Sequence, residues 1–196
     1  MAIVDSSAIS ILFTEARSQN GWNPDPVSDA QLKAAYDIAK WGPTSMNTQP
    51  MRIVILRSLE SKERLKPALS PGNVDKTMTA PVVAIIAYDT KFADHLPRTF
   101  PHNSNAQKMF IGNESLIQST AFRNGTLQAA YFLLSLRAVG LEIGPMSGFD
   151  PAKVDAAFFP GTSLKVNFLC GIGRGKPEKI FKRSPRFDFD EIAQIV

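Results

Sequence analysis

Apolar residues recur along the chain in two patterns, one with helical spacing and one of unbroken runs. Helical spacing, in several places with capping residues at its start, predicts five helices that begin near Ser6, Ser28, Ser61, Leu116 and Asp150. Unbroken apolar runs over 52–56, 81–88 and 164–171 predict three strands buried on both faces. A shorter extended piece is expected between 141 and 150.

The ends of these elements carry their own signals. The first helix is expected to end near Arg17, and the long helix from Leu116 is expected to end at Gly140, with Asn124-Gly125 as a weak point inside it. Ser70 to Asn73 has the composition of a turn. Lys76 follows Asn73 by three residues, so the two side chains share a face if the segment is helical.

The connection over 41–50, Trp-Gly-Pro-Thr-Ser-Met-Asn-Thr-Gln-Pro, collects short polar side chains between a predicted helix and a predicted strand. Pro43 and Pro50 fix the backbone at both ends and cannot continue the helix. Thr44, Ser45 and Asn47 offer hydroxyl and amide groups at little entropic cost. An ordinary helix-to-strand connection accounts for such a cluster as well as a ligand-binding loop does.

Two further stretches lack regular periodicity. The segment from about 90 to 113 is long for a connection, so we expect a lid or a substrate-side insertion. It contains His95 and His102, but no acidic or cysteine partner stands at ligand spacing, and no metal site is expected. The last ten residues, from Phe187, hold apolar residues at helix-like spacing and are expected to form an arm that packs elsewhere.

Composition limits the class of protein. The 196 residues are 44% hydrophobic and 20% charged, which fits one globular domain over 1–196. Because Cys170 is the single cysteine, an internal disulfide is excluded, which fits a reducing cytoplasm. Cys170 itself is expected to pack in the core. No apolar stretch approaches about 18 residues, and no basic leader follows Met1, so neither membrane insertion nor export is expected.

The net charge of +4 is concentrated late in the chain, where six basic residues between Arg174 and Arg186 face two acidic ones. This excess suits an anionic ligand. Nucleic acid is not the expected partner, because the segment lacks interleaved aromatic residues and a repeated basic helical face. A small molecule with a phosphate group accounts for it more simply.

Motifs for several kinds of chemistry are missing from the sequence. It contains no G-x-S-x-G elbow, Walker loop or H-E-x-x-H motif. The run Gly171-Ile172-Gly173-Arg174-Gly175 resembles part of a dinucleotide fingerprint, but Lys176-Pro177 stands where a helix should begin, so a Rossmann site is rejected. Polar loops and basic residues without a nucleophile favour an organic cofactor that carries the reaction.

Five motifs in fixed order give the chain a resemblance to the FMN-dependent nitroreductase family, from about Ser10 to Arg186. Arg17-Ser18 resembles an N-terminal phosphate clamp, and 43–50 is similar to the signature Pro-Ser-Ser-x-Asn-x-Gln-Pro loop. Asn73 and Lys76 match the pair at the polar edge of the flavin ring. The stretch 145–150 resembles the turn whose backbone donor meets the reactive flavin nitrogen, and Lys182-Arg183 resembles the C-terminal phosphate-binding pair.

The resemblance implies an α+β fold with a central, mostly antiparallel sheet flanked by helices, in an intertwined homodimer with FMN at the interface. Hydride from NADPH or NADH would reach a small acceptor through the flavin, without a dedicated catalytic side chain. The implied cofactor-binding residues are Arg17, Ser18, Asn20, Pro43, Thr44, Ser45, Asn47, Asn73, Lys76, Pro145, Met146, Ser147, Gly148, Lys182 and Arg183. The family often has Arg, Glu and Lys where this chain has Asn20, Ser147 and Phe181; Lys182 is the substitute cation.

Local matches outside the flavin signature resemble the malonic semialdehyde reductases of the Rut pyrimidine-degradation pathway. They include Asn20-Gly21-Trp22, Phe100-Pro101-His102 and the segment 120–124. The implied acceptor is malonic semialdehyde, whose carboxylate needs a cation; Arg98 and Arg123 are candidates, and each has a solvated or structural role as the alternative. A broad nitroaromatic or quinone reductase is the second reading, and a non-catalytic flavin-binding protein or basic interaction module is the third.

Overall fold

A computed structural model describes residues 3–196; Met1 and Ala2, on which the expectation of no leader partly rests, lie outside the described residues. Its centre is a four-stranded antiparallel sheet in the order β1-β2-β4-β3. The strands are β1 (Met51–Leu56), β2 (Val82–Asp89), β3 (Glu142–Met146) and β4 (Leu164–Gly173). The sheet flanked by helices confirms the predicted α+β class.

The two middle strands form the centre of the core. β2 is buried on both faces, as its unbroken apolar run predicts. β4 continues two residues beyond the predicted end, to Gly173, and Cys170 on it is fully buried. The prediction for β1 was wrong, because this strand lies at the edge of the sheet and its residues from Arg52 to Ile55 are only partly buried.

Helices α2 (Asp29–Ala39) and α6 (Glu114–Ala138) cover one face of the sheet. The predicted Ser28–Gln31 capping box opens α2, and Gly140, with a φ of 81°, follows the end of α6. The helix continues without a break through Asn124 and Gly125, where the sequence predicts a weak point. A Cβ at Gly125 would lie 2.9 Å from Cβ of Tyr88, so this glycine lets α6 approach β2 closely.

Helices α3 (Leu59–Leu65), α4 (Pro71–Met78) and α7 (Pro151–Phe158) lie on the other face. The segment from Ser70 to Asn73 is not the expected turn, because Pro71 takes the first helical position of α4, where its missing N–H costs no hydrogen bond. α7 begins as predicted, with the Asp150 carboxylate accepting hydrogen bonds from the N–H groups of Ala152 and Lys153.

The N-terminal helix is shorter than predicted. It consists of α1 (Ser6–Ile9) and a π-helical turn over Ser10–Thr14, and it ends three residues before Arg17. The chain then runs extended beside β3, where Ser18 bridges to Ile143 in parallel orientation. This early end frees Arg17 and Ser18 from the helix and places them at the β3 edge.

The segment from 90 to 113 contains 3-10 turns at Phe92–His95 and Ala106–Phe110, with the short helix α5 (Leu96–Thr99) between them. Each piece is too short to show periodicity in the sequence. Together they enclose a small apolar cluster of their own against Ala121 of α6. The segment is therefore a packed unit rather than an open loop.

After the buried Gly175, the chain lies on the surface. A 3-10 turn at Pro177–Lys179 and the short helix α8 (Phe189–Ile192) are its regular elements among residues 174–196. Phe189, Ile192 and Ile195 are 63%, 71% and 89% exposed, so the arm buries little of its apolar surface within this chain. Among residues 3–196, no helix is long and apolar enough to cross a membrane.

Candidate functional site

Helix α4 and the turn after β3 meet through a short set of hydrogen bonds. Nδ2 of Asn73 donates to the carbonyl oxygen of Gly148 at 2.7 Å, and the N–H of Ser70 donates to the same oxygen at 3.0 Å. A Cβ at Gly148 would lie 2.6 Å from Nδ2 of Asn73, so a larger residue here would displace the Asn73 amide. The structure thus brings together two motifs that are 75 residues apart in the sequence.

The turn itself is held from both sides. Pro145 and Met146 end β3, with Met146 opposite Leu169 of β4, and the N–H of Asp150 donates to the carbonyl oxygen of Ala68 at 2.7 Å. Ser147 between them is exposed, and its backbone N–H donates to no other atom of the described residues. A fixed turn with a free backbone donor is therefore available to a ligand.

Lys76 lies one helical turn after Asn73 and is partly buried. Burial lowers the pKa of its ammonium group, because the charged form loses hydration. The indole Nε1 of Trp22 donates to the carbonyl oxygen of Lys76 at 2.8 Å. Trp22 packs against Gly171 of β4, where a Cβ would lie 2.6 Å from its ring, so the sheet fixes the position of this lysine.

The basic residues from the two ends of the chain gather around one cavity of about 580 Å³. Its lining includes Arg17, Ser18, Asn20, Arg137, Phe181, Lys182, Arg183 and Arg186. The Arg17 guanidinium donates to the carbonyl oxygen of Phe181, and Arg183 donates to that of Thr14 at 2.6 Å. These bonds tie the two terminal segments together and leave a cationic cavity that suits a phosphate group.

The cationic cavity and the Ser147 turn both lie at the β3 edge of the sheet. The N–H of Gln19 donates to the carbonyl oxygen of Ile143 at 3.0 Å, which adds the N-terminal segment beside β3. The Glu142 carboxylate accepts from Nε2 of Gln19 at 2.5 Å and from the N–H of Gly175 at 2.7 Å. The cationic cavity and the Ser147 turn are therefore parts of one edge.

The loop over 43–50 is held by helix α6. The N–H of Ser45 donates to Oδ1 of Asn124 at 2.8 Å, and the hydroxyl of Tyr131 donates to the carbonyl oxygen of Pro43 at 3.2 Å. Met46, Asn47 and Gln49 have φ values of 51°, 50° and 44°. Such conformations are costly for residues other than glycine and are concentrated at functional sites.

This loop does not meet the other two motifs within one chain. It leads into β1, which is separated from β3 by β2 and β4. Three strand spacings correspond to about 14 Å across the sheet. The chain therefore gathers Arg17, Asn73, Lys76 and Ser147 at one edge and leaves the loop with Thr44, Ser45 and Asn47 at the opposite edge.

The two candidate arginines for a substrate carboxylate have different surroundings. Arg98 of α5 lines a polar pocket next to the loop, where Nδ2 of Asn47 donates to the carbonyl oxygen of Thr99 at 2.7 Å. Arg123 is exposed on α6, one residue before Asn124. In residues 3–196, no three His, Cys, Asp or Glu side chains are grouped as metal ligands.

Comparison with known proteins assigns the chain to a family. The model of the nitroreductase family matches residues 14–174. The chain belongs to the nitroreductase family. Two relatives carry the provisional name NADH dehydrogenase/NAD(P)H nitroreductase. One, from Cupriavidus pinatubonensis, is 54% identical over 94% of this chain and 95% of its own. HadB of Ralstonia pickettii is 55% identical over 96% and 97%.

Two solved structures have the same fold as this chain. A provisionally named nitroreductase from Exiguobacterium sibiricum, solved in complex with FMN, superposes with a TM-score of 0.85 at 20% identity, covering 100% of both chains. The enone reductase CLA-ER superposes with a TM-score of 0.82 at 17% identity over 99% of this chain and 100% of that one. At these identities the likeness concerns the fold.

Sequence reasoning missed two residues that shape the candidate site. Arg137 lines the cationic cavity and donates to the carbonyl oxygen of Leu12 at 2.8 Å; burial lowers the pKa of its guanidinium. A basic residue in the last helical turn usually interacts with the helix dipole, so its position gave no separate signal. The position of Asn124 was a usable signal in the sequence, because an amide on the buried side of a long helix needs a hydrogen-bond partner.

Proposed function

We propose that this nitroreductase family member binds FMN and uses it to pass hydride from NADH or NADPH to a small acceptor. The observation that carries the proposal is the contact between Asn73 and Gly148, which joins the two ring-binding motifs of the family resemblance. The printed names of the relatives, which include NAD(P)H nitroreductase, support the hydride donor. The FMN complex of the Exiguobacterium protein supports the cofactor.

The residues present fit FMN at both ends of the molecule. The cationic cavity, with Arg17, Lys182 and Arg183 in its lining, suits a phosphate, and Arg137 adds a further charge. Asn73 retains its amide oxygen as an acceptor, and Lys76 contributes an ammonium donor; together they match the mixed polar groups at the edge of the flavin ring.

FMN supplies hydride transfer, and the protein supplies binding, orientation and electrostatics. Lys76 holds a positive charge at a partly buried position, where it stabilises negative charge more strongly than a hydrated lysine does. The free N–H of Ser147 gives a fixed donor that orients the ring. Arg17 and Arg183 would hold the phosphate, and the bonds from their guanidinium groups to backbone carbonyls keep the two terminal segments together.

For the acceptor we propose malonic semialdehyde, which is reduced to 3-hydroxypropionate. Hydride adds to the aldehyde carbon, and a proton from water adds to the oxygen. Arg98 and Arg123 are the cations available to its carboxylate. The second candidate is reduction of nitroaromatic compounds or quinones, which the printed names of the relatives favour.

The proposal includes a homodimer in which each flavin contacts both chains. Its support is the position of the 43–50 loop, about 14 Å across the sheet from the β3 edge within one chain. A second copy would bring its loop to the Ser147 turn of the first. The exposed apolar arm from Phe187 supports the same arrangement, and the groove of about 340 Å³ between α2 and the open edge of β1 offers it an apolar surface.

Two measurements on the purified protein test the proposal. The protein should be yellow, or become so on adding FMN, and the released chromophore should be FMN. The specificity constant kcat/KM should then be compared for malonic semialdehyde, a quinone and a nitroaromatic compound with each nicotinamide. A strong preference for nitro compounds selects the second candidate. Colourless protein that cannot take up flavin, or salt-sensitive RNA binding without flavin, contradicts the proposal.

A further inference from the structure

A second pocket lies behind the 43–50 loop, between the start of β1 and helices α2, α5 and α6. We call it the loop pocket; its volume is about 340 Å³. It is lined by Tyr36, Thr48, Gln49, Met51, Arg52, His95, Arg98, Thr99 and Gln128. Most of these side chains carry hydrogen-bonding groups, in contrast to the apolar groove on the other side of Arg52.

One buried group in the wall of the loop pocket lacks a partner. Thr48 is only 1% exposed, and its hydroxyl makes no hydrogen bond with any described residue. A buried hydroxyl without a partner costs free energy, so such groups are rare. Gln128 is also buried and accepts from the N–H of Met51 at 2.9 Å through Oε1, which leaves its NH₂ group to donate elsewhere.

The charges around the pocket leave one cation available. Arg52 is already committed, because it pairs with Asp89 at 2.8 Å and donates to the carbonyl oxygens of Gln49 and Met51. Asp89 also lies 3.9 Å from Nε2 of His95 and is the carboxylate of this region. Arg98 has no ion pair among residues 3–196 and is exposed on α5.

We propose that the loop pocket binds the carboxylate group of a small molecule. Arg98 provides the cation, and the buried Thr48 hydroxyl together with the Gln128 amide provides neutral donors. A carboxylate accepts from both kinds of donor, whereas a neutral ligand of the same size would leave the arginine without a partner. The inference rests on the proposed function in its choice of Arg98, which is also a candidate cation for the acceptor's carboxylate, and it adds the pocket and the neutral donors around that cation.

Direct binding of malonate to the full-length protein tests this proposal without turnover. Isothermal titration at constant ionic strength should give saturable binding of malonate and none of its neutral dimethyl ester. Arg98→Gln should weaken malonate binding by about ten-fold or more, as expected for the loss of a hydrogen bond between charged groups. Arg174→Gln is the matched control, with the same change of charge at an exposed site outside the pocket, and should bind as the parent does.

Thr48→Val separates a ligand-binding role of the hydroxyl from a structural one. Because this hydroxyl has no partner in the described chain, its removal should leave the melting temperature unchanged or raise it, while malonate binding becomes several-fold weaker. A clear fall in melting temperature would show that the hydroxyl is already satisfied in the free protein. That result would contradict a ligand-binding role for the Thr48 hydroxyl.

Other occupants predict other results. If an acidic side chain from the arm of a second copy fills the pocket, Arg98→Gln should weaken self-association, and malonate should not bind. Equal weakening of malonate binding in Arg98→Gln and Arg174→Gln would indicate a nonspecific charge effect, and unchanged binding in Arg98→Gln would show that Arg98 does not hold the ligand. Each of these results overturns the proposal, and each can be distinguished from a failure to bind flavin, which is measured separately.

Discussion

At the scale of single residues, Lys76 shows how burial changes the effect of a charge. Its ammonium group lies on α4, with its pKa lowered by lost hydration, and the Trp22 indole fixes the backbone carbonyl of the same residue. A charge in this setting acts on a neighbouring ligand through a medium less polarisable than water. The effect of the Lys76 charge can therefore be measured as a change in a property of the bound ligand.

Replacing this lysine should make the flavin harder to reduce. For Lys76→Met we expect a reduction potential lower by on the order of tens of millivolts, since 30 mV corresponds to about 1.4 kcal/mol for two electrons. Spectroscopic titration against a reference dye measures the potential. Lys66→Met is the control, because Lys66 is exposed and pairs with Glu63 on the surface. An equal shift in both variants would assign the effect to net charge alone.

Cys170 is the second residue whose burial has a measurable consequence. Lack of hydration raises the pKa of its thiol from 9.0 to about 12. The unfolded chain therefore loses this proton near pH 9 and the folded chain only near pH 12, so this group's contribution to stability falls as pH rises between these values.

Two measurements check this expectation. The free energy of unfolding should decline more steeply above pH 9 for the parent than for Cys170→Ala. In the native protein at pH 8, a thiol reagent should react only as fast as the protein unfolds, because the thiol is buried and protonated. Rapid labelling of the folded protein would show that this part of β4 is accessible.

At the scale of elements, α6 organises the loop. Asn124, Gln128 and Tyr131 stand four and three residues apart and so share one side of the helix. Each makes a hydrogen bond to the chain between Pro43 and Met51. This polar stripe on a largely apolar helix fixes the loop in its strained backbone conformation.

Removing one member of the stripe should loosen the loop. For Asn124→Ala we expect a loss of stability of about 1 kcal/mol, the usual net value of one hydrogen bond. Flavin affinity should fall roughly five-fold if the loop binds the cofactor, as the same free energy implies. Gln118→Ala is the control, because Gln118 bonds only to exposed Glu114 on the same helix. Reduced stability with unchanged flavin affinity would remove the loop from the binding site.

Local signals in the sequence predict elements well where the cause is local. The Ser28–Gln31 capping box, the Asp150 cap and the glycine after α6 all have their predicted roles, because each is decided by neighbouring residues. The place of β1 at the sheet edge depends on strand order, which its own residues do not encode. The same holds for Asn124, whose partner is 79 residues away.

In the candidate site, too, features decided by neighbouring residues were predicted and features that depend on distant residues were not. Family resemblance supplied its motifs, and the structure joins Asn73 to the Ser147 turn and Arg17 to Phe181, the residue before the C-terminal basic pair. Arg137 could not be singled out, because a basic residue near a helix end has a simpler explanation. The loop pocket depends on four separate elements, so no short stretch of sequence predicts it.

At the scale of the whole molecule, the motifs lie at two opposite sheet edges, and the proposed homodimer would bring them together from two copies of the chain. We expect deletion of Phe187–Val196 to weaken dimerisation by at least about ten-fold, since burial of three large apolar side chains contributes several kcal/mol. Light scattering over a concentration series measures the mass, and flavin retention should fall in parallel.

A matched full-length variant controls for this deletion. Gln194→Ala changes an exposed polar residue of the arm and should leave both mass and flavin content as in the parent. A parent that is monomeric at all concentrations, yet retains flavin, would contradict the shared site. A dimer unaffected by the deletion would instead assign the interface to other surfaces.

The Glu142 carboxylate, which accepts from both Gln19 and Gly175, fastens the beginning and the end of the chain to the same strand. Neither terminal segment can separate from β3 without breaking its hydrogen bond to Glu142. Hydrogen exchange should therefore show one cooperative opening of the two segments, faster than exchange in β2. Such an opening would separate Arg17 from Arg183, the two sides of the proposed phosphate site, while the sheet stays intact. Cofactor could then leave and return without the protein having to refold.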